Sequence, residues 1–554
     1  MTNKIVLSTA EELDAFLPLE VNQLAGLSAY SFFLERTKDG FNSFLKENPH
    51  ADDRPYQYQY AAVMCCRRFN IMGWSMSVGK TTSTIVTILG LYKERLQQLR
   101  KGSIHIVVLN LLAAERWLED FSKISMFKGL YQVVNSLADL EKTQCPIIIY
   151  SQDFPKRRAS GRKYSSKTTL SKRLRKLKPT LLVVDEVHGL RSNTARTAHL
   201  KKIREKSRRC LALTGTPSEG NLKELHSILT FVYGDNWLYR SAQSFSKDFG
   251  SKQRISTSYI QKEDAPEKYL QRLEPAKMAD YYHMMRRFIH RVRIDEPQIR
   301  RCMTLPEAEH VMHAVEPDQE QKDIYDLYVA SHLEQLRRVS DGITKQQQAE
   351  ALQLINPLIK IANFPGDGTR PTPKIKYLLD LVQRAEGKVV IFCDRVASAW
   401  LCTHHLRNTL KVETIRLYSK DPNAEPPEMN MEQRIEAVTE FQYNPNIKAG
   451  VFSITLAGQS IDLTKASDVI YYCLPWSSIK IQQSISRVVR SGNTYPEVKL
   501  HYLYQTGMID EYQTKLALEK IRCSKLMLDY EVDFEAEETE SDLTPSDALS
   551  LMFH

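Results

Sequence analysis

The residues with the clearest chemistry are the adjacent Asp185 and Glu186, delivered by the apolar run Leu181–Val184 and followed by a polar turn through His188. A buried parallel strand that ends in neighbouring carboxylates is suited to hold Mg²⁺ through water and to polarise a water for attack on a phosphoanhydride. Asp185 is expected to take the first role and Glu186 the second. Upstream, GWSMSVGKTT at 73–82 places Ser77, Val78, Gly79, Lys80, Thr81 and Thr82 where a loop would open a helix. Backbone N–H groups at such a turn bind phosphate, Lys80 would neutralise the β/γ charge, and the Thr81 hydroxyl would ligate Mg²⁺. The spacing departs from the strict G-x-x-x-x-G-K-[ST] loop, because Trp74 stands where a glycine is required and Gly73 lies one residue early. Far downstream, QSISRVVRSG at 483–492 sets Arg487 and Arg490 one helical turn apart. Both guanidiniums could then project from one helix face and bring positive charge to a γ-phosphate.

Such groups work only if a rigid frame holds them. From Gln57 to about Gly234, the apolar runs SIHIVVLN, PIIIYS, TLLVVDE and RRCLALTG alternate with helical patterns, the mark of a doubly wound α/β domain. A second alternation runs from Lys388 to Thr506 through KVVIFCD, VETIRLYS, IKAGVFSI, SDVIYYCLP and VKLHYLYQ. The sequence therefore predicts a helical N-terminal segment over 1–53, a first lobe over 54–234 and a second over 373–510. Residues 235–372 are expected to be a helical insertion and linker closing on FPGDGTRPTP, and 511–554 a C-terminal helix with an acidic tail. The tail reads as a solvated segment, with an autoinhibitory or partner-binding role as the alternative.

A chain of 554 residues is too long for one core. No apolar run is long enough to span a bilayer and the N-terminus lacks a signal peptide's pattern, so no membrane partner is expected. The chain should act where it is made, in the cytoplasm of a bacterial or virus-infected cell, or in a nucleus if eukaryotic. It is taken to be a monomer. The nine cysteines show no paired spacing, which argues against a disulfide framework or a zinc site. A net charge of +10 suits a polyanion. Its densest source is Lys156–Lys178, which lacks acidic residues and ends in Lys172, Arg173, Arg175 and Lys176. A salt-sensitive clamp on a nucleic-acid backbone is expected there, with a solvated loop or a nuclear-import signal as the alternatives.

From Arg54 to about Glu511 these segments resemble a superfamily-two helicase motor, most closely the Swi/Snf-type ATPases. RPYQ at 54–57, DEVHGLRSNTARTAHL, LALTGTPSEGNLKELHSILTFVYG and MMRRFIHRVRIDEP carry the resemblance along with the loops above. It implies two tandem RecA-like lobes, parallel sheets flanked by helices, using ATP and Mg²⁺. By the same resemblance Arg54 and Gln57 would read adenine, and Thr214, Gly215 and Thr216 would couple hydrolysis to lobe motion. Asp462, where the family usually has Asn, and Gln483 would complete the nucleotide site. Translocases grip the DNA backbone away from the nucleotide, and the candidates for that contact are Trp117, Ser151, Gln152, Thr455, Gln459 and Trp476. Trp74, Ser75 and Ser77 replace residues usual in the family's first motif, and Ala457 and Ser460 replace two glycines of its fifth. The implied activity is ATP-driven translocation on double-stranded or branched DNA that remodels protein–DNA complexes or DNA branches. A fork-regressing, annealing or strand-separating helicase is the nearest alternative. A DNA-binding scaffold with a degenerate motor, or the motor of a defence complex with a protein partner, are the others.

Overall fold

The computed structural model describes residues 23–49, 53–157, 170–191, 194–218, 221–254, 269–273, 277–340, 345–366, 370–418, 429, 431–457 and 461–528. The chain divides into two compact units. The first comprises 1–251 and 273–303, and the second 252–272 and 304–554.

The first unit is built on strands β1 (Phe69–Trp74), β2 (Ile104–Val108), β3 (Tyr131–Val133), β4 (Ile147–Ser151), β5 (Leu181–Val184) and β6 (Arg209–Leu213). After the separate two-stranded pair β7 (Gly250–Arg254) and β8 (Tyr269–Leu273), β9 (Ile289–Val292) joins its edge. The order is β3-β4-β2-β5-β6-β1-β9, and every pairing is parallel. Strands β2, β4 and β5 are buried along their whole length because helices cover both faces, so their sequences read as unbroken apolar runs rather than as alternation. Parallel pairing also gathers every carboxyl end on one edge, with β5, β6 and β1 as neighbours there. The helix Gln23–Glu47 belongs to this unit: its Phe41 packs on Ala61 and Val86, and Thr37 Oγ1 donates to Tyr58 O at 2.9 Å.

The second unit carries β10 (Glu307–Val315), β11 (Lys388–Cys393), β12 (Thr414–Leu417), β13 (Ala449–Ser453), β14 (Ala466–Cys473) and β15 (Glu497–Gln505), in the order β10-β15-β14-β11-β13-β12 and again wholly parallel. Its core includes an ion pair between Lys374 and Asp510 at 2.6 Å, with Lys374 also donating to Asn363 Oδ1 and lying over the Tyr472 ring.

All nine strands expected from the apolar runs are present. The segment 235–372 is not a single helical insertion, however: β9 extends the first sheet and β10 extends the second. Both are edge strands, and β10 is largely exposed, which is why its mixed composition did not read as a core strand. No described helix is long and apolar enough to cross a membrane.

Candidate active site

The loop after β1 is held by three residues of the segment 54–57. Arg54 donates to Ser77 O at 3.4 Å, Tyr56 OH donates to Val78 O at 3.1 Å, and the buried Gln57 lies so close to Gly79 that a Cβ there would collide with its Nε2. Gly79 has φ +87° and opens the helix Lys80–Tyr92, while Ser77 holds φ +67°, a region a side chain occupies at a cost. Trp74 is buried and donates its indole N–H to His290 Nδ1 at 2.9 Å, so the position where a glycine is usual is filled by a core contact with β9. Lys80 Nζ donates to Trp74 O and Ser75 O at 3.0 and 3.1 Å. Burial pushes its ammonium down to about 8, against the opposing pull of Glu186 and Asp185. Thr81 and Thr82 are half-buried in the first turn of the helix.

Across the same edge, β5 delivers the carboxylates. Burial, and then the neighbouring Glu186, raise the Asp185 carboxyl to about 6, while the Trp117 N–H and the Lys80 ammonium pull it back. Trp117 Nε1 donates to Asp185 Oδ2 at 3.1 Å, and the Glu186 N–H to Asp185 Oδ1 at 3.0 Å. Glu186 has φ +50°, strain that neighbouring structure must hold. Gln152 holds it: its buried Nε2 donates to both Asp185 O at 3.0 Å and Glu186 O at 3.1 Å, and Gly189 leaves it room. His188 Nδ1 is 3.1 Å from Glu186 Oε2 and 3.3 Å from Thr214 Oγ1, which accepts the Thr216 N–H at 3.1 Å. Hydrogen-bond reach therefore runs from the carboxylate turn to the TGTP turn. Gly215 packs on Met76 of the loop after β1, where a Cβ would crowd its Cγ.

A partly buried carboxylate with a raised affinity for a proton, beside a second carboxylate, is a site that a cation relieves. Among the described residues no group of three or more His, Cys, Asp or Glu side chains could hold a metal alone. Mg²⁺ takes one or two carboxylates and completes its shell with phosphate oxygens and water.

Three of the expected DNA contacts lie elsewhere than a surface. Trp117 is buried against Asp185, Ser151 is buried at the end of β4, and Gln152 is enclosed beneath the carboxylate turn. Gln152 follows the end of β4 and Trp117 lies in the helix Leu111–Ser122, and both face inward to the carboxylate turn. Lys172 and Lys176 are exposed on the helix Leu170–Lys176, whereas Arg173 and Arg175 are half-buried. The preceding stretch of that basic run, 158–169, lies outside the described residues. Arg291, missed by the motif reading, donates to Gly73 O at 2.7 Å, and its charge acts on Lys80. The alternation in FIHRV was the available signal.

In the second unit the helix Ser478–Val488 contains the buried Gln483 and the half-buried Arg487. Arg490 lies beyond its end, so the two arginines do not share a helix face as the spacing suggested. Asn493 Nδ2 donates to Val488 O at 3.0 Å, tying down the helix end. The exposed Asp462 accepts the Thr464 N–H at 3.2 Å, and the intervening Leu463 N–H donates to Arg487 O at 3.1 Å. Thr455 is exposed and accepts from Lys480 Nζ at 3.2 Å. Trp476 is half-buried on the core rather than free, and its carbonyl accepts from Lys520. Gln459, with Ser460, and the acidic tail lie outside the described residues.

Residues 56–366 match the SNF2-related domain, and residues 373–492 match the helicase conserved C-terminal domain. Among curated proteins, the chain is 30% identical over 324 residues to "ATP-dependent helicase FUN30" of Saccharomyces cerevisiae, covering 55% of this chain and 26% of that protein. It is 25% identical over 334 residues to "DNA annealing helicase and endonuclease ZRANB3" of Homo sapiens, covering 60% and 28%. The chain thus spans about a quarter of the length of these relatives. A solved structure, the Sulfolobus solfataricus SWI2/SNF2 ATPase core in complex with dsDNA, is similar at 22% identity and a TM-score of 0.37, covering 86% of this chain and 92% of that one.

Proposed function

Because the chain belongs to the SNF2-related family of helicase-like ATPases, we propose that it is an ATP-dependent translocase on double-stranded DNA that remodels protein–DNA complexes or DNA branches. The observation that carries this reading is the half-buried Asp185–Glu186 pair on the same sheet edge as a loop clasped by Arg54, Tyr56 and Gln57. A carboxylate whose proton affinity is raised beside a second carboxylate is suited to a metal cation carried by a phosphate-bearing ligand.

In this reading Lys80 and the N–H groups of residues 77–82 bind the phosphates, and Thr81 and Asp185 hold Mg²⁺, which supplies charge neutralisation when bound. Glu186 polarises the attacking water, with His188 within reach of its Oε2. Gln57 and Arg54 take the base side, and Asp462, Gln483, Arg487 and Arg490 serve the nucleotide from the second unit. The path through His188 to Thr214 and Thr216 gives hydrolysis a mechanical route to the neighbouring turn. Lys172, Arg173, Arg175, Lys176, Thr455, Gln459 and Trp476 remain the proposed DNA contacts. Similarity to a DNA annealing helicase supports a second reading, a motor specialised for branched DNA.

Steady-state ATPase activity with no nucleic acid, duplex, single strands, forked DNA and RNA separates these readings. The greatest stimulation is expected from duplex, with no turnover in Glu186→Gln although it still binds ATP. Preference for forks favours the second reading, and indifference to every nucleic acid refutes both.

A further inference from the structure

From sequence Gln152 is a candidate nucleic-acid contact, yet folding encloses its side chain completely beneath the carboxylate turn. The chemistry proposed above gives it no task.

The arm that carries this side chain is anchored on both sides. The Gln152 N–H donates to Val108 O at 2.7 Å, continuing the ladder between β4 and β2. The next residue, Asp153, accepts from Arg196 Nε at 2.7 Å and Arg196 NH2 at 3.0 Å, both from the helix Ala195–Arg204. In the sheet β2 lies between β4 and β5, so the Gln152 side chain crosses the end of β2 to reach the turn after β5. There its Nε2 donates to Asp185 O at 3.0 Å and to Glu186 O at 3.1 Å.

Glu186 needs such a hold, because it sits at φ +50° and ψ +54°, a left-handed conformation that a residue with a Cβ adopts at a cost. Two carbonyls on one side fix which way the Gln152 amide faces. On its other side stands Gly189, where a Cβ would come within 2.7 Å of Gln152 Oε1. That oxygen has no hydrogen-bond partner among the described residues. Packing therefore gives no account of a glutamine here. Methionine would fill a similar volume without burying an unpaired acceptor, but it would offer the strained turn no donor.

We infer that Gln152 is a positioning residue for ATP hydrolysis. Its amide holds the Asp185–Glu186 turn in the conformation that points the Glu186 carboxylate at the attacking water, and its side chain makes no contact with nucleic acid. The inference rests on the proposed role of Glu186.

The test compares the parent with Gln152→Met and Gly189→Ala in the full chain, by steady-state ATPase across ATP and duplex concentrations. Gln152→Met is expected to lower kcat roughly thirty-fold, with KM for ATP and the duplex concentration for half-maximal stimulation each within about two-fold of the parent. Hydrogen exchange in the nucleotide-free protein should quicken at the Gly189 N–H, which donates to Glu186 O at 3.0 Å, and stay as in the parent along the strands. Gly189→Ala, whose added Cβ displaces the amide, should lower kcat in the same way, but by less than about two-fold when combined with Gln152→Met. A parental kcat in Gln152→Met overturns the inference. So does a raised duplex requirement with kcat intact, which would return Gln152 to the nucleic-acid contacts, and so do losses that multiply independently in the double variant. Exchange quickened throughout the sheet also overturns it, by assigning the loss to the fold. Undiminished turnover in Glu186→Gln counts against the proposed role of Glu186, whereas undiminished turnover in Gln152→Met beside an inactive Glu186→Gln counts against Gln152 alone.

Discussion

Asp185 is a carboxylate held against its own preference, and its neighbours set both its charge and its direction. Burial and Glu186 raise it from 3.8 to about 6, so the folded state holds a proton that the unfolded chain has released between those values. In the nucleotide-free protein this group therefore weakens the fold as pH rises through that window, and the loss is complete above about 6. Lys80 is displaced the other way, from 10.5 down to about 8. Its charge disfavours folding below about 8, and that penalty is released as pH rises from there to 10.5. In the proposed nucleotide site Asp185 must be ionised and Lys80 protonated, so ATP affinity is expected to peak between about pH 6 and about pH 8. A flat affinity profile across that range on either side would contradict this. Trp117 aims Asp185 through one N–H. Trp117→Phe keeps the ring and removes the donor, and is expected to raise the Mg²⁺ concentration for half-maximal ATPase by roughly ten-fold, with thermal stability near the parent's. An unchanged Mg²⁺ requirement would reduce Trp117 to a packing residue. Asp185 and Glu186 were legible from sequence because a strand end fixes them. The inward turn of Trp117 and Gln152 was not, since it depends on a contact between segments far apart in the chain.

Among the elements, the loop after β1 has the clearest local tension. Ser77 occupies φ +67°, where a Cβ is disfavoured, at a position where the family usually has glycine. Ser77→Gly is expected to stabilise the unit by about 1 kcal/mol. Chemical denaturation reads the change, and a destabilised variant would mean that the hydroxyl makes a contact outweighing the strain. In the second unit, the helix Pro373–Arg384 is pinned to the helix Ile509–Leu528 by the buried Lys374–Asp510 pair. Lys374→Met leaves the Asp510 carboxylate buried without its cation and is expected to cost about 3–5 kcal/mol. Adding Asp510→Leu should restore most of that, and a double variant as unstable as the single would refute pairing as the cause. Helical spacing alone suggested that Arg487 and Arg490 share a face, but the helix stops at Val488, two residues before Arg490. Its end is fixed by Asn493, whose amide bonds Ala466 O of β14 as well as Val488 O. That second bond is a tertiary contact that no i to i+3 rule contains.

For the whole molecule, the surplus of positive charge matters through where folding puts it. Lys172 and Lys176 stand exposed on one short helix. Replacing both with glutamine is expected to weaken duplex binding and lower its log–log salt slope by about two, and an unaltered slope would remove that helix from the DNA contacts. The sequence by itself determined that there would be two parallel α/β sheets, because fully covered strands must be apolar runs and helices must separate them. It also determined that carboxylates, lysine and threonines would meet at carboxyl strand ends, because parallel pairing leaves those ends on one edge. The tertiary structure alone decided which strands are neighbours, and so placed β9 and β10 at sheet edges where weak amphipathic patterns suffice. It also decided that Arg54, Tyr56 and Gln57 clasp the loop after β1. Strand order is set by packing between segments distant in sequence, and local periodicity does not record it.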